Sequence, residues 1–190
     1  MTSAPPIVLV DTNVWLDLYL PHRPGRSAAL DLLREACNRG VSIAFASQSA
    51  LDVYQQVQAD NKRWARESGR LTAAAAVAIK RFAWDCVHEM REVGTPIPVD
   101  ASDLYLADKF RDVHDDLEDD LVMAACRRAK ANYLVTNDRK LLAHAPVDAR
   151  TPQQMVELLR MGMAQGTGTS SGTTDDTWLY RWMGVVEAAG

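Results

Sequence analysis

Paired cysteines are missing from this chain. Its three thiols, Cys37, Cys86 and Cys126, are odd in number and widely spaced, with no CxxC pair. That pattern fits reduced thiols in a cytoplasmic protein better than a disulfide framework or a zinc site. A basic field is missing too, because 21 basic residues face 25 acidic ones and the net charge is −4. Binding to nucleic acid would then have to run through a local basic patch or bound cations. No long apolar run is present. The N-terminal MTSAPPIVLVDTN has no basic lead and is broken by Asp11, so it predicts neither a signal peptide nor a membrane span. Glycine and proline are too sparse for a fibrous or low-complexity chain. What remains is 190 residues, 47% hydrophobic and 24% charged, which predicts one soluble globular domain with a substantial core.

Short β-branched runs alternate with helical periodicity. Ile7–Val10, Val41–Ala46 and Asn132–Thr136 read as buried parallel strands, and Thr95–Val99 as a strand or extended lead-in. Leu30, Leu33 and Cys37 fall at helical spacing before Gly40. Ser47-Gln48-Ser49 predicts the cap of a helix starting near Ala50, and Leu51–Arg91 predicts two or three helices with a break near Ser68-Gly69. The alanine-rich stretch Leu71–Ile79 predicts a buried helix. Further helices are expected over Asp103–Val113, Leu117–Ala129 and Gln153–Met163. This order predicts an α/β fold, a three-layer α/β/α sandwich with a mainly parallel central sheet. The main body spans 1–163. GTGTSSGTT marks a linker over 164–176, and WLYRWMGVVEAAG an apolar tail over 177–190 that folds back or docks on a partner.

In such a sheet, functional groups gather at the carboxyl ends of the strands. Asp11 and Asp138 each follow a buried run, and Asp52 follows the second strand by one helical turn. Each could simply cap or flank a helix. In HDDLEDDLVMAACRRA, however, Asp116, Asp119 and Asp120 share one face of a helix start, and the chain then returns to the sheet beside Asp138. Carboxylates held together are costly unless a cation neutralises them, and an oxygen-only set selects Mg²⁺ or Mn²⁺.

At VLVDTNVWLDL and DDLVMAACRRAKANYLVTNDRKLL, in that order and separation, the chain resembles the PIN domain family, and within it the VapC-like toxins. The resemblance covers about residues 7–160. It implies a metal-dependent endoribonuclease with Asp11, Asp120 and Asp138 as metal ligands. Aligning Ala124-Ala125 puts the third acid on Asp120, and a one-residue shift puts it on Asp119. Asp116 matches an auxiliary acid. Asp52 stands where the family usually has glutamate, and Asn13 and Thr136 match residues that orient the site. The resemblance also implies an RNA substrate, a cognate antitoxin and a homodimer. Lys62, Arg63, Arg66 and Arg70 around Trp64 offer an RNA grip by charge and stacking, or a solvated face with Trp64 packed inward. A haloacid-dehalogenase-like phosphatase would need an acid where Asn13 stands, together with a later lysine motif. A non-catalytic interaction module would have no reason to keep so many acids.

Overall fold

The computed structural model describes residues 5–111 and 116–162. The expected linker and tail, and His114, lie outside these residues. Thirteen elements run in the order β1 (Ile7–Val10), α1 (Thr12–Tyr19), α2 (Arg26–Asn38), β2 (Ser42–Ala46), α3 (Ser47–Glu67), α4 (Ala73–Val93), β3 (Thr95–Ile97), α5 (Ala101–Phe110), α6 (Leu117–Ala129), β4 (Tyr133–Val135), α7 (Arg139–His144), β5 (Asp148–Arg150) and α8 (Pro152–Gly162).

The five strands form one sheet in the order β3-β2-β1-β4-β5, and every pairing is parallel. Alternate residues of each strand feed opposite faces. Val8, Val10, Ile43, Phe45 and Val135 enter one core, against Trp15, Leu32, Val53, Met90 and Met155 from α1, α2, α3, α4 and α8. Leu9, Ala46 and Leu134 enter the other, against Val122, Met123, Cys126 and Leu141 from α6 and α7. Strands apolar on both sides with helices on each face give the expected three-layer α/β/α sandwich. β1 lies between β2 and β4, so the chain winds outward in one direction through β2 and β3 and in the other through β4 and β5. The seam of β1 and β4 is therefore the topological switch point, where a crevice opens beyond the strand ends.

Several sequence expectations are corrected. The second long helix begins at Ser47, directly after β2, and no side chain of the Ser47-Gln48-Ser49 segment caps it. The alanine-rich stretch is helical but not buried, with Val77 71% exposed. Alanine favours helix without demanding a core, and here the first half of α4 pairs with the distal end of α3 in a hairpin that leaves the body. That hairpin turns at Ser68-Gly69, where Gly69 has φ +67. Among the described residues, no helix is long and apolar enough to cross a membrane.

Candidate active site at the carboxyl ends of β1 and β4

Asp11 is the residue at which β1 becomes α1. Its backbone N–H still donates to the Val135 carbonyl at 3.0 Å, as a strand residue would, while its own carbonyl accepts from Val14 N–H at 3.1 Å, as a helix start would. The side chain is thereby pinned over the β1–β4 seam, 3% exposed. Three donors meet it. Thr12 N–H reaches Oδ1 at 2.7 Å, Thr136 Oγ1 reaches Oδ2 at 2.7 Å, and Asn13 Nδ2 also donates to Oδ2. Asn13 Nδ2 lies 3.0 Å from Thr136 Oγ1 as well, and Asn13 Oδ1 accepts from the Asn137 N–H at 3.1 Å. Asn13 and Thr136 thus both donate to the Asp11 carboxylate. Burial pushes the Asp11 carboxyl up to about 7. The Thr136 and Thr12 hydrogen bonds oppose this, while the charges of Asp119 and Glu118 add to it.

Asp138 caps α7, its Oδ1 accepting from Lys140 N–H at 2.7 Å and Leu141 N–H at 3.1 Å. Its own N–H donates to Thr136 Oγ1 at 2.9 Å. Thr136 is therefore the shared centre, wired to both Asp11 and Asp138. Both aspartates are helix caps, and a cap uses only part of a carboxylate's acceptor capacity.

The acids of α6 divide. Asp116 caps the helix through Glu118 N–H at 3.0 Å and is exposed. The charges of Asp119 and Glu118 both raise the Asp11 carboxyl. Asp120 is buried and lines a cleft toward α5 with Leu104, Ala107, Asp108 and Arg111. Glu118 was not singled out from the sequence, because it lies off the face shared by Asp116, Asp119 and Asp120. Its carboxyl is raised by partial burial first and then by the charge of Asp52, with the nearby Thr12 side chain acting in the opposite direction. Burial also raises the Asp52 carboxyl. Buried Ser49 is a second omission: it accepts from Thr12 Oγ1 at 2.8 Å, tying the end of β2 to the end of β1. Its only sequence signal was the polar step Ser47-Gln48-Ser49 after the second strand.

The basic residues sit elsewhere. Lys62 donates to Gln58 at 3.2 Å, Arg63 pairs with Asp60, and Arg70 lies over Trp64 at 5.8 Å. Trp64 is 57% exposed, so its inward packing is excluded. Nineteen residues of helix separate Ser47 from Arg66, roughly 28 Å at 1.5 Å per residue.

The acids around Asp11 offer only hard oxygen donors. Cys126 feels the Asp11 charge, yet burial and that charge push its thiol up to about 12, so it stays neutral and offers no thiolate. In donor chemistry the site fits a divalent hard cation. Among the described residues, no three acids, histidines or cysteines stand close enough to cage one unaided.

No curated protein matches the chain. A family model described as PIN domain matches residues 7–140, running from the start of β1 to just past Asp138. Domains of this kind are generally nucleases, hydrolases of phosphodiester bonds, that use divalent metals. With the β1–β4 crevice, its acids and a match over well more than half its length, the chain belongs to the PIN domain family.

Proposed function

We propose that this protein is a divalent-metal-dependent endoribonuclease whose reaction centre lies over the β1–β4 seam. The observation that carries this reading is the buried Asp11 carboxylate, met by Thr12, Asn13 and Thr136 and facing the charges of Asp119 and Glu118. A carboxylate in that position gains strongly from a cation. Asp11, Asp138 and an acid of α6 would hold it. The sequence alignment favours Asp120 in the last role, whereas the influence of Asp119 on Asp11 supports Asp119. A bound Mg²⁺ or Mn²⁺ would make water a better nucleophile and offset charge on the attacked phosphate. Asp52 and Asp116 are the candidates to orient or deprotonate that water, with Glu118, which feels the charge of Asp52, beside them. Thr136 and Asn13 keep Asp11 an acceptor, and the buried seam below it excludes bulk water.

The substrate is RNA, gripped away from the scissile bond by Lys62, Arg63, Arg66 and Arg70 with exposed Trp64. At roughly 28 Å from the start of α3 these residues would hold flanking chain rather than the reacting phosphate. The biological role we favour is the toxin of a toxin–antitoxin pair acting in the cytoplasm, with a cognate antitoxin laid across the acidic crevice. A housekeeping RNA-processing role uses the same chemistry.

A non-catalytic interaction module is the second reading. It is favoured by the lack, among the described residues, of three acids already gathered about one point. The full chain with single-stranded RNA separates the two. Cleavage with Mn²⁺, lost in EDTA and in Asp11→Asn, is the expected result. An absence of both cleavage and Mn²⁺-induced stabilisation would select the module instead.

A further inference from the structure

Below the acids lies a polar contact set that the proposed chemistry does not use. Asp17 of α1 is buried, yet both of its oxygens are engaged. Arg23 Nε donates to Oδ1, and Asn137 Nδ2 donates to Oδ2 at 2.8 Å. One carboxylate therefore grips the loop after α1 and the turn after β4. Both partners also touch Asn13. The Asn137 N–H donates to Asn13 Oδ1 at 3.1 Å, and Arg23 Nη2 reaches the Asn13 carbonyl at 3.5 Å.

Gly25 makes room for this grip. A Cβ there would meet Asp17 Oδ2 at 1.9 Å. The Gly25 backbone, φ −77 and ψ −6, is one any residue adopts. Glycine is thus needed for space and not for conformation.

The consequence concerns the direction of one amide. An asparagine side chain has a donor end and an acceptor end of nearly the same shape. Flipped, Asn13 would turn its oxygen toward Asp11 and repel it. The Asn137 N–H forbids the flip by requiring an acceptor, and that N–H is aimed by a turn whose side chain Asp17 holds.

We propose that Asp17 is a positioning residue, which through Asn137 and Arg23 fixes the Asn13 amide so that Asp11 meets only donors. This rests on the reading of Asp11 as the central site acid. Partners at one remove from a site typically change affinity or rate by about 10–100-fold.

The test uses the full chain and four variants: Asp17→Asn, Asn137→Ala, Asn13→Ala and the double Asp17→Asn/Asn13→Ala. The Asn137 change removes only the exposed link and leaves the Asp17–Arg23 pair intact, so it covers a folding failure of Asp17→Asn. Expected for Asp17→Asn and Asn137→Ala are a wild-type circular dichroism spectrum, a kcat on single-stranded RNA lowered by about 10–100-fold at near-normal KM, and a displaced Asn13 side-chain amide resonance in the metal-free protein. The double variant should be no slower than Asn13→Ala. A lower melting temperature with unchanged kcat and unmoved Asn13 resonance would overturn the proposal, as would additive losses in the double variant. The resonance decides even without measurable cleavage. Asp11→Asn runs alongside: if it cleaves normally, the reading of the site fails, whereas if it alone is inactive, only the role of Asp17 fails.

Discussion

Asp11 illustrates how one residue carries two demands. It must cap α1, and it must remain a carboxylate in a place that burial and neighbouring acids make costly. Asp119 and Asp120 are adjacent in the chain, but a helix turns by about 100° per residue and sends them apart. We expect Asp120→Asn to lower RNA cleavage by more than about 100-fold, the scale of a lost reaction-centre group. A larger loss from Asp119→Asn would move the α6 role by one residue. Away from the site, burial raises the Glu89 carboxyl from 4.5 to about 7, with the charge of Glu92 adding to it. The folded state thus binds this proton more tightly than the unfolded one. The stability it contributes is complete below about pH 4.5 and is lost as pH rises through about 7. Glu89→Gln should therefore melt like wild type at pH 4.5 and about 2–4 °C higher at pH 8, after allowance for screening. Equal melting temperatures at both pH values would contradict this.

At the scale of elements, the α3–α4 hairpin is where the chain departs from a minimal sandwich. Only its proximal part is anchored in the core, through Val53, Val57, Ala83, Cys86 and Met90. Its distal part exposes Trp64, Val77 and, nearer the body, Trp84, whose ring lies tilted against Tyr54 and His88 at 5.2 and 5.8 Å. Exposed aromatic rings beside cations suit single-stranded nucleic acid. Replacing Arg66 and Arg70 by alanine should weaken RNA binding at all sequences alike. The slope of log affinity against log salt should become shallower by about 0.7 for each phosphate that these arginines neutralise. Filter binding across a salt series measures both, and an unchanged slope would remove the hairpin from the RNA path.

At the scale of the whole molecule, the remaining question is assembly. The sequence beyond α8 carries Trp178, Leu179, Trp182 and Met183, apolar residues seldom left in water as a group. We expect a homodimer. Light scattering on the full chain and on a chain ending at Gly166 tests this. A dimer that dissociates on truncation assigns the interface to the tail, a dimer that survives assigns it to the body, and monomers in both refute the expectation.

The sequence by itself determined the layered fold and the positions of Asp11 and Asp138 after inner strands. Runs such as Ile7–Val10 and Tyr133–Val135 must be buried on both faces, so they can only be inner parallel strands, and Asp11 and Asp138 follow them directly. It did not reveal α1, α7 or β5. These elements are short, and their packing against β1, β4 and one another, rather than periodicity, holds them. Only the tertiary structure brought Ser49 to the end of β1 and turned an alanine-rich helix outward. It alone explains Gly25, whose missing side chain leaves space for a carboxylate eight residues earlier in the chain. Local pattern fixes which residues can be buried. Which polar groups then meet depends on the angle at which helices leave the sheet, and that angle is decided by packing of the whole core.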